Sequence, residues 1–154
     1  MENALLQAGI IRSAGTVLGP LRPDLKLPMI ATRDIGTAAA DALLSLNFHQ
    51  KQAQELLGQR DVSYDEVAKI IGKAIGKPDL RYTQPPNEQL RAAFIQMGMS
   101  SNMADLLLEM SASLNSGYIR ALEPRSALNT TRISYEAFVD AEFVPLYEGK
   151  RAAT

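Results

Sequence analysis

The stretch from Leu25 to Leu46, LKLPMIATRDIGTAAADALLSL, constrains this chain more than any other. Its pattern predicts a short apolar strand (Met29, Ile30) running into Thr32, Arg33 and Asp34, with a small-residue helix behind them. Such a unit suits the later part of an α/β nucleotide-binding fold, which opens on a glycine-rich phosphate loop. No such loop stands ahead of it. The ten glycines never fall into G-x-G-x-x-G, and Gly72-Lys73 and Gly76-Lys77 miss the G-x-x-x-x-G-K-[ST] spacing.

A chain of 154 residues is read as one domain, residues 1–154, able to bury ~70% of its unfolded surface. Net charge is -1 and the basic residues are scattered, so the sequence carries no electrostatic footprint for nucleic acid or anionic membrane. Cysteine is absent, which removes disulfides, thiolate catalysis and Cys-zinc sites together. No apolar run approaches the ~20 residues a membrane span needs. The N-terminal MENALLQAGIIRSAG lacks a continuous hydrophobic region, so a cytoplasmic protein is expected.

Along the chain, Glu2 to Ala8 reads as a short helix ended by Gly9, and Gly15 to Pro28 as a loop. Thr32 is expected to cap the helix that runs through Leu46, with Ala38, Ala39 and Ala40 giving it a thin flank for close packing on a sheet. Glu55 to Leu57 and Leu80 to Thr83 are further short extended pieces. Between them lies the best-marked element. Ser63 and Glu66 form a capping box, Val62 and Val67 a hydrophobic staple. Val67, Ile70, Ile71, Ala74 and Ile75 then recur on one face, and Gly76 ends the helix ahead of Pro78. Asn87 is read as the cap of a helix carrying Leu90, Ala93, Phe94 and Met97. Ser101 opens another, striped by Met103, Leu107, Met110 and Leu114. After a loop from Ala121 to Arg132, Ser134 caps a terminal helix, with Ile133 and Phe138 as a second staple.

Candidate chemistry is sparse. His49 is the single histidine, and without cysteine or an H-E-x-x-H pattern it predicts no metal site; a solvent-exposed histidine is expected. No G-x-S-x-G serine occurs. Asp61, Asp65 and Glu66 gather around a helix start, where acids are favoured for stability alone. A reductase phenol needs a lysine one helical turn later to lower its pKa. Tyr64 has Lys69 five residues on, Tyr147 has Lys150 three on, and Tyr82, Tyr118 and Tyr135 have none in reach. No catalytic or cofactor-binding residue is therefore assigned. Phe94, Met97, Met99 and Met103 form an adaptable apolar cluster around Gly98 and are the candidate substrate-pocket residues.

Three stretches taken together resemble the C-terminal half of the NmrA-like family of NAD(P)-binding proteins, among the atypical short-chain dehydrogenase/reductases. They are LPMIATRDIGTAAADALL, ELLGQRDVSYDEVAKIIGKAIGKPDLRYTQPP and IQMGMSSNMADLLLEMSASLNSG; the final SYEAFVDAEFVPLY is similar to the family's terminal helix. The resemblance implies an α/β fold, here a mostly helical C-terminal lobe of a Rossmann-type protein with about three short strands. It also implies a family role as NAD(P)H-dependent reductase or redox-sensing regulator. Thr32, Arg33 and Asp34 match the family's strand-to-helix motif near the active-site face.

The family's glycine-rich loop would lie before Met1. The chain is accordingly expected to be a truncated member that alone binds no dinucleotide and carries no catalysis, NAD(P) being implied only by the resemblance. A homo-oligomer, or a separate chain supplying the N-terminal half, is the expected partner. A stand-alone interaction module is the alternative, and a small-ligand binder a further one.

Overall fold

The computed structural model describes residues 1–46 and 53–150. Its centre is α3 (Tyr64–Ala74), which buries Val67, Ala68, Ile71 and Gly72. Both arms of the capping box form: the Glu66 amide donates to the Ser63 hydroxyl at 3.2 Å, and the Ser63 amide to the Glu66 carboxylate at 2.9 Å. Val62 and Val67 are both buried, as a staple requires. Gly76, at φ 72°, takes the left-handed conformation that ends the helix.

Around α3 lie a 3-10 turn (Glu2–Leu6), α1 (Gln7–Ala14), and the C-terminal run of α6 (Tyr135–Phe138), a π turn (Val139–Phe143) and α7 (Val144–Tyr147). Ala8, Ile11, Tyr135, Phe138, Val139 and Phe143 close the core with α3. The terminal helix widens into its π turn just ahead of Pro145, which has no amide to offer the preceding turn. Arg12 ties α1 to the end of this run, donating to the Tyr147 carbonyl at 3.0 Å while lying over the Tyr147 ring.

Two strands of two residues each, β1 (Val17–Leu18) and β2 (Tyr82–Thr83), pair in parallel with Val17 opposite Tyr82. β2 realises the predicted extended piece at Leu80–Thr83. β1 falls inside the predicted loop, and Val17, fully buried, is what draws it into the core. The predicted strand at Met29–Ile30 does not form. Pro28 and a tight turn, with the Met29 amide on the Leu27 carbonyl at 2.9 Å, leave only a single antiparallel bridge, Leu27 to Val62. Glu55 to Leu57 likewise reduces to one bridge, Leu57 to Thr130. At the crossing of these two segments Gly58 lies against the Met29 carbonyl, where any Cβ would collide with backbone.

Other predicted boundaries shift. Gly9 does not end the first helix: α1 continues to Ala14 and stops at Gly15, whose left-handed φ of 68° supplies the cap. α2 (Thr32–Ser45) begins one residue earlier than expected, so Ala31 is its cap and Thr32 its first helical residue. Pro86, not Asn87, holds the cap position of α4 (Asn87–Gln96). In α5 (Ser101–Asn115) the buried residues are Ala104 and Ser111, while Met103 and Met110 of the expected stripe are half exposed. On α4 only Leu90 of the predicted face is buried. Ser134 does cap α6, accepting from the Ala137 amide at 3.1 Å.

Candidate functional site

The Thr32-Arg33-Asp34 motif opens α2, and each of its side chains holds a different element. A helix start leaves its first amides without partners. Here the Glu2 carboxylate takes that place: the Thr32 amide donates to Glu2 Oε1 at 2.8 Å and the Thr32 hydroxyl to the same oxygen at 2.7 Å. Burial raises the Glu2 pKa, but the hydrogen bonds from Thr32, from its own backbone amide and from the Met1 ammonium together outweigh it and hold the carboxyl at about 2. Arg33 reaches the π turn through Glu142 at 2.9 Å. The Asp34 carboxylate accepts the Ile133 amide at 3.0 Å, just ahead of α6. The motif is thus a three-point clamp rather than a capping threonine.

Beyond the clamp, α2 leaves the core. None of its residues is buried, and Ile35, Leu43 and Leu44 stand exposed, Leu44 at 81%. The thin flank of Ala38, Ala39 and Ala40 meets no sheet among the described residues, because the strand expected before it never forms.

Phe94, Met97, Met99 and Met103 are spread along the corner between α4 and α5. The Met99 amide donates to the Phe94 carbonyl at 3.1 Å, and the Ser100 hydroxyl caps α5 by accepting from the Met103 amide at 3.2 Å. A bidentate Arg91–Asp105 pair, 2.6 and 3.0 Å, braces the two helices. Phe94 and Met99 are partly buried, whereas Met97 is mostly and Met103 half exposed. The corner is an open apolar surface; two concavities, of about 410 and 340 Å³, are lined by other residues.

Tyr82 and Tyr135 belong to the core and Tyr64 packs against it. Burial pushes the phenols of Tyr64, Tyr82 and Tyr135 upward. Tyr82 donates to the Leu21 carbonyl at 2.8 Å and lies 4.9 Å from the Tyr64 ring, a core contact. Among Asp61, Asp65 and Glu66, Asp61 pairs with Arg125, and Glu66 with Arg60 and the Ser63 amide. No group of three or more His, Cys, Asp or Glu placed to hold a metal occurs among the described residues. His49 lies outside those residues. Nor is any described helix long and apolar enough to cross a membrane.

Sequence reasoning missed Glu2 and Glu142 as the partners that make the motif a clamp. No local signal could have found them, since they act across 30 and 109 residues.

This architecture recurs in known proteins. The chain is 34% identical over 119 residues to the NAD(P)H azoreductase of Xenophilus azovorans, covering 77% of this chain and 41% of that protein. It is 31% identical over 106 residues to the agroclavine dehydrogenase of Claviceps fusiformis, covering 69% of this chain and 34% of that one. The NADPH-dependent quinone oxidoreductase of Escherichia coli, solved with NADPH, superposes with a TM-score of 0.62 at 22% identity, over 99% of this chain and 47% of its own. The triphenylmethane reductase of Citrobacter sp., solved with NADP(H), gives 0.65 at 15% identity, over 84% and 46%. These two establish the fold. The chain spans less than half the length of each of these relatives. The NmrA-like family pattern matches residues 5–142, and the chain belongs to that family.

Proposed function

We propose that these 154 residues form the C-terminal, substrate-side lobe of an NAD(P)H-dependent reductase, with the dinucleotide phosphates held by residues outside them. Family membership and relatives that are dinucleotide-dependent reductases support the reaction class. The observation that carries the division of labour is the occupied start of α2. Phosphates bind where helix amides point free, but Glu2 already fills that position with a carboxylate of the wrong charge. At α3 the Ser63 hydroxyl and Glu66 carboxylate fill the equivalent place, and at α5 the Ser100 hydroxyl does. The absence of a glycine-rich loop from these 154 residues supports the same division.

In this reading the lobe contributes the apolar corner of Phe94, Met97, Met99 and Met103 to the substrate side. The bare face of α2 meets a polypeptide segment carrying the phosphate loop. Calorimetric titration of the chain with NADPH and with NADH tests the proposal. No saturable heat is expected; low-micromolar affinity for either would overturn it.

A further inference from the structure

The cleft of about 340 Å³ stands apart from both the clamp and the apolar corner, and it is built entirely within this chain. Its apolar lining comes from Leu27, Pro28 and Leu57, together with Leu114 near the end of α5 and Ile119 in the loop behind it. Its volume lies within the few-hundred-Å³ range of small-molecule sites. The loop across it is held in place. The Glu55 carboxylate accepts the amides of Leu122 and Glu123 at 2.9 to 3.1 Å, and Arg125 binds the Gly58 carbonyl and the Asp61 carboxylate.

Charge sets what this cleft can take. It is lined by three cations, Lys26, Arg120 and Arg125, against two carboxylates, Asp61 and Glu123. Arg125 and Asp61 neutralise each other. Lys26 also acts on Glu66, which Arg60 already pairs. Arg120 forms no ion pair and no side-chain hydrogen bond among the described residues, and Glu123 forms no ion pair there either. A guanidinium fork at the edge of an aliphatic cleft matches a planar anion on an apolar body.

The geometry points to a binding site for a small aromatic carboxylate or sulfonate, its ring between Leu57, Leu114 and Ile119 and its anionic group on Arg120, with Lys26 adding longer-range attraction. This goes beyond the reductase reading, since the site needs no dinucleotide.

Titration of the methyl-labelled chain with 2-naphthoate, followed by NMR, tests it. Saturable shifts are expected at the Leu57, Leu114 and Ile119 methyls and not at Leu43 or Leu44 of α2. Arg120→Gln, at an exposed position, should weaken binding about tenfold, as loss of a charge-assisted contact does. Lys26→Gln should weaken it less, and neutral 2-naphthamide should bind the unaltered chain no better than naphthoate binds Arg120→Gln. Equal shifts at α2, or affinity unchanged by Arg120→Gln or by the amide, would overturn the site. None of these outcomes bears on NADPH binding, so the two proposals fail separately.

Discussion

Helix α3, of 11 residues, buries Val67, Ala68, Ile71 and Gly72, whereas α2, of 14, buries nothing. Both enter through well-satisfied starts: α3 through its capping box, α2 through the Glu2 carboxylate and the Arg33 and Asp34 contacts. The two helices part company after the first turn. In α3 the apolar residues at helical spacing meet α6, the π turn and β2. In α2 the apolar residues Ile35, Leu43 and Leu44 meet solvent. Polar contacts fix where a helix begins, but burial of an apolar face supplies most of its stability.

The largest effect that could break this contrast is Ile71→Ala. Ile71 is fully buried, so the substitution should cost about 2–5 kcal/mol in urea denaturation; a cost below about 1 kcal/mol would remove α3 from the core. Ser63→Ala, which removes one arm of the capping box, should cost about 1 kcal/mol in the same measurement.

Glu2 sharpens the other side of the comparison. Its folded pKa is lowered from 4.5 to about 2, so its contribution is present above the ordinary carboxylate value and lost as pH falls toward 2. Denaturation midpoints measured between pH 5 and pH 2 should fall less steeply for Glu2→Gln than for the unaltered chain; parallel curves would show that the carboxylate does not hold α2. The smallest effect belongs to Leu44→Ala, which should change stability by no more than about 0.5 kcal/mol, because this leucine is 81% exposed.

Legibility in the sequence divides along the same line. The α3 box and staple, the Ser134 cap and the Gly76 stop are written in residues three to five apart, and the structure has all of them. Elements that depend on distant partners were not legible. β1 exists because Val17 meets Tyr82, and the expected strand at Met29–Ile30 is missing because Pro28 turns the chain and the Gly58 segment that crosses it forms no ladder with it. The α5 stripe misled for a related reason: the helix packs through the small residues Ala104 and Ser111, which a search for large apolar residues passes over. For the candidate site, Thr32, Arg33 and Asp34 were recognisable as a motif. Their work as a clamp depended on Glu2, Glu142 and the Ile133 amide, contacts that only the folded chain brings together.

Amide hydrogen exchange of the 154-residue chain tests the central claim, that α2 is a clamped but uncovered helix, most directly. Past its clamped first turn α2 should exchange orders of magnitude faster than the buried face of α3, whose amides should open only with global unfolding. Protection along Ala38 to Ser45 equal to that at Val67 to Ile71 would contradict the account, because it would show α2 already covered without any segment from outside the chain.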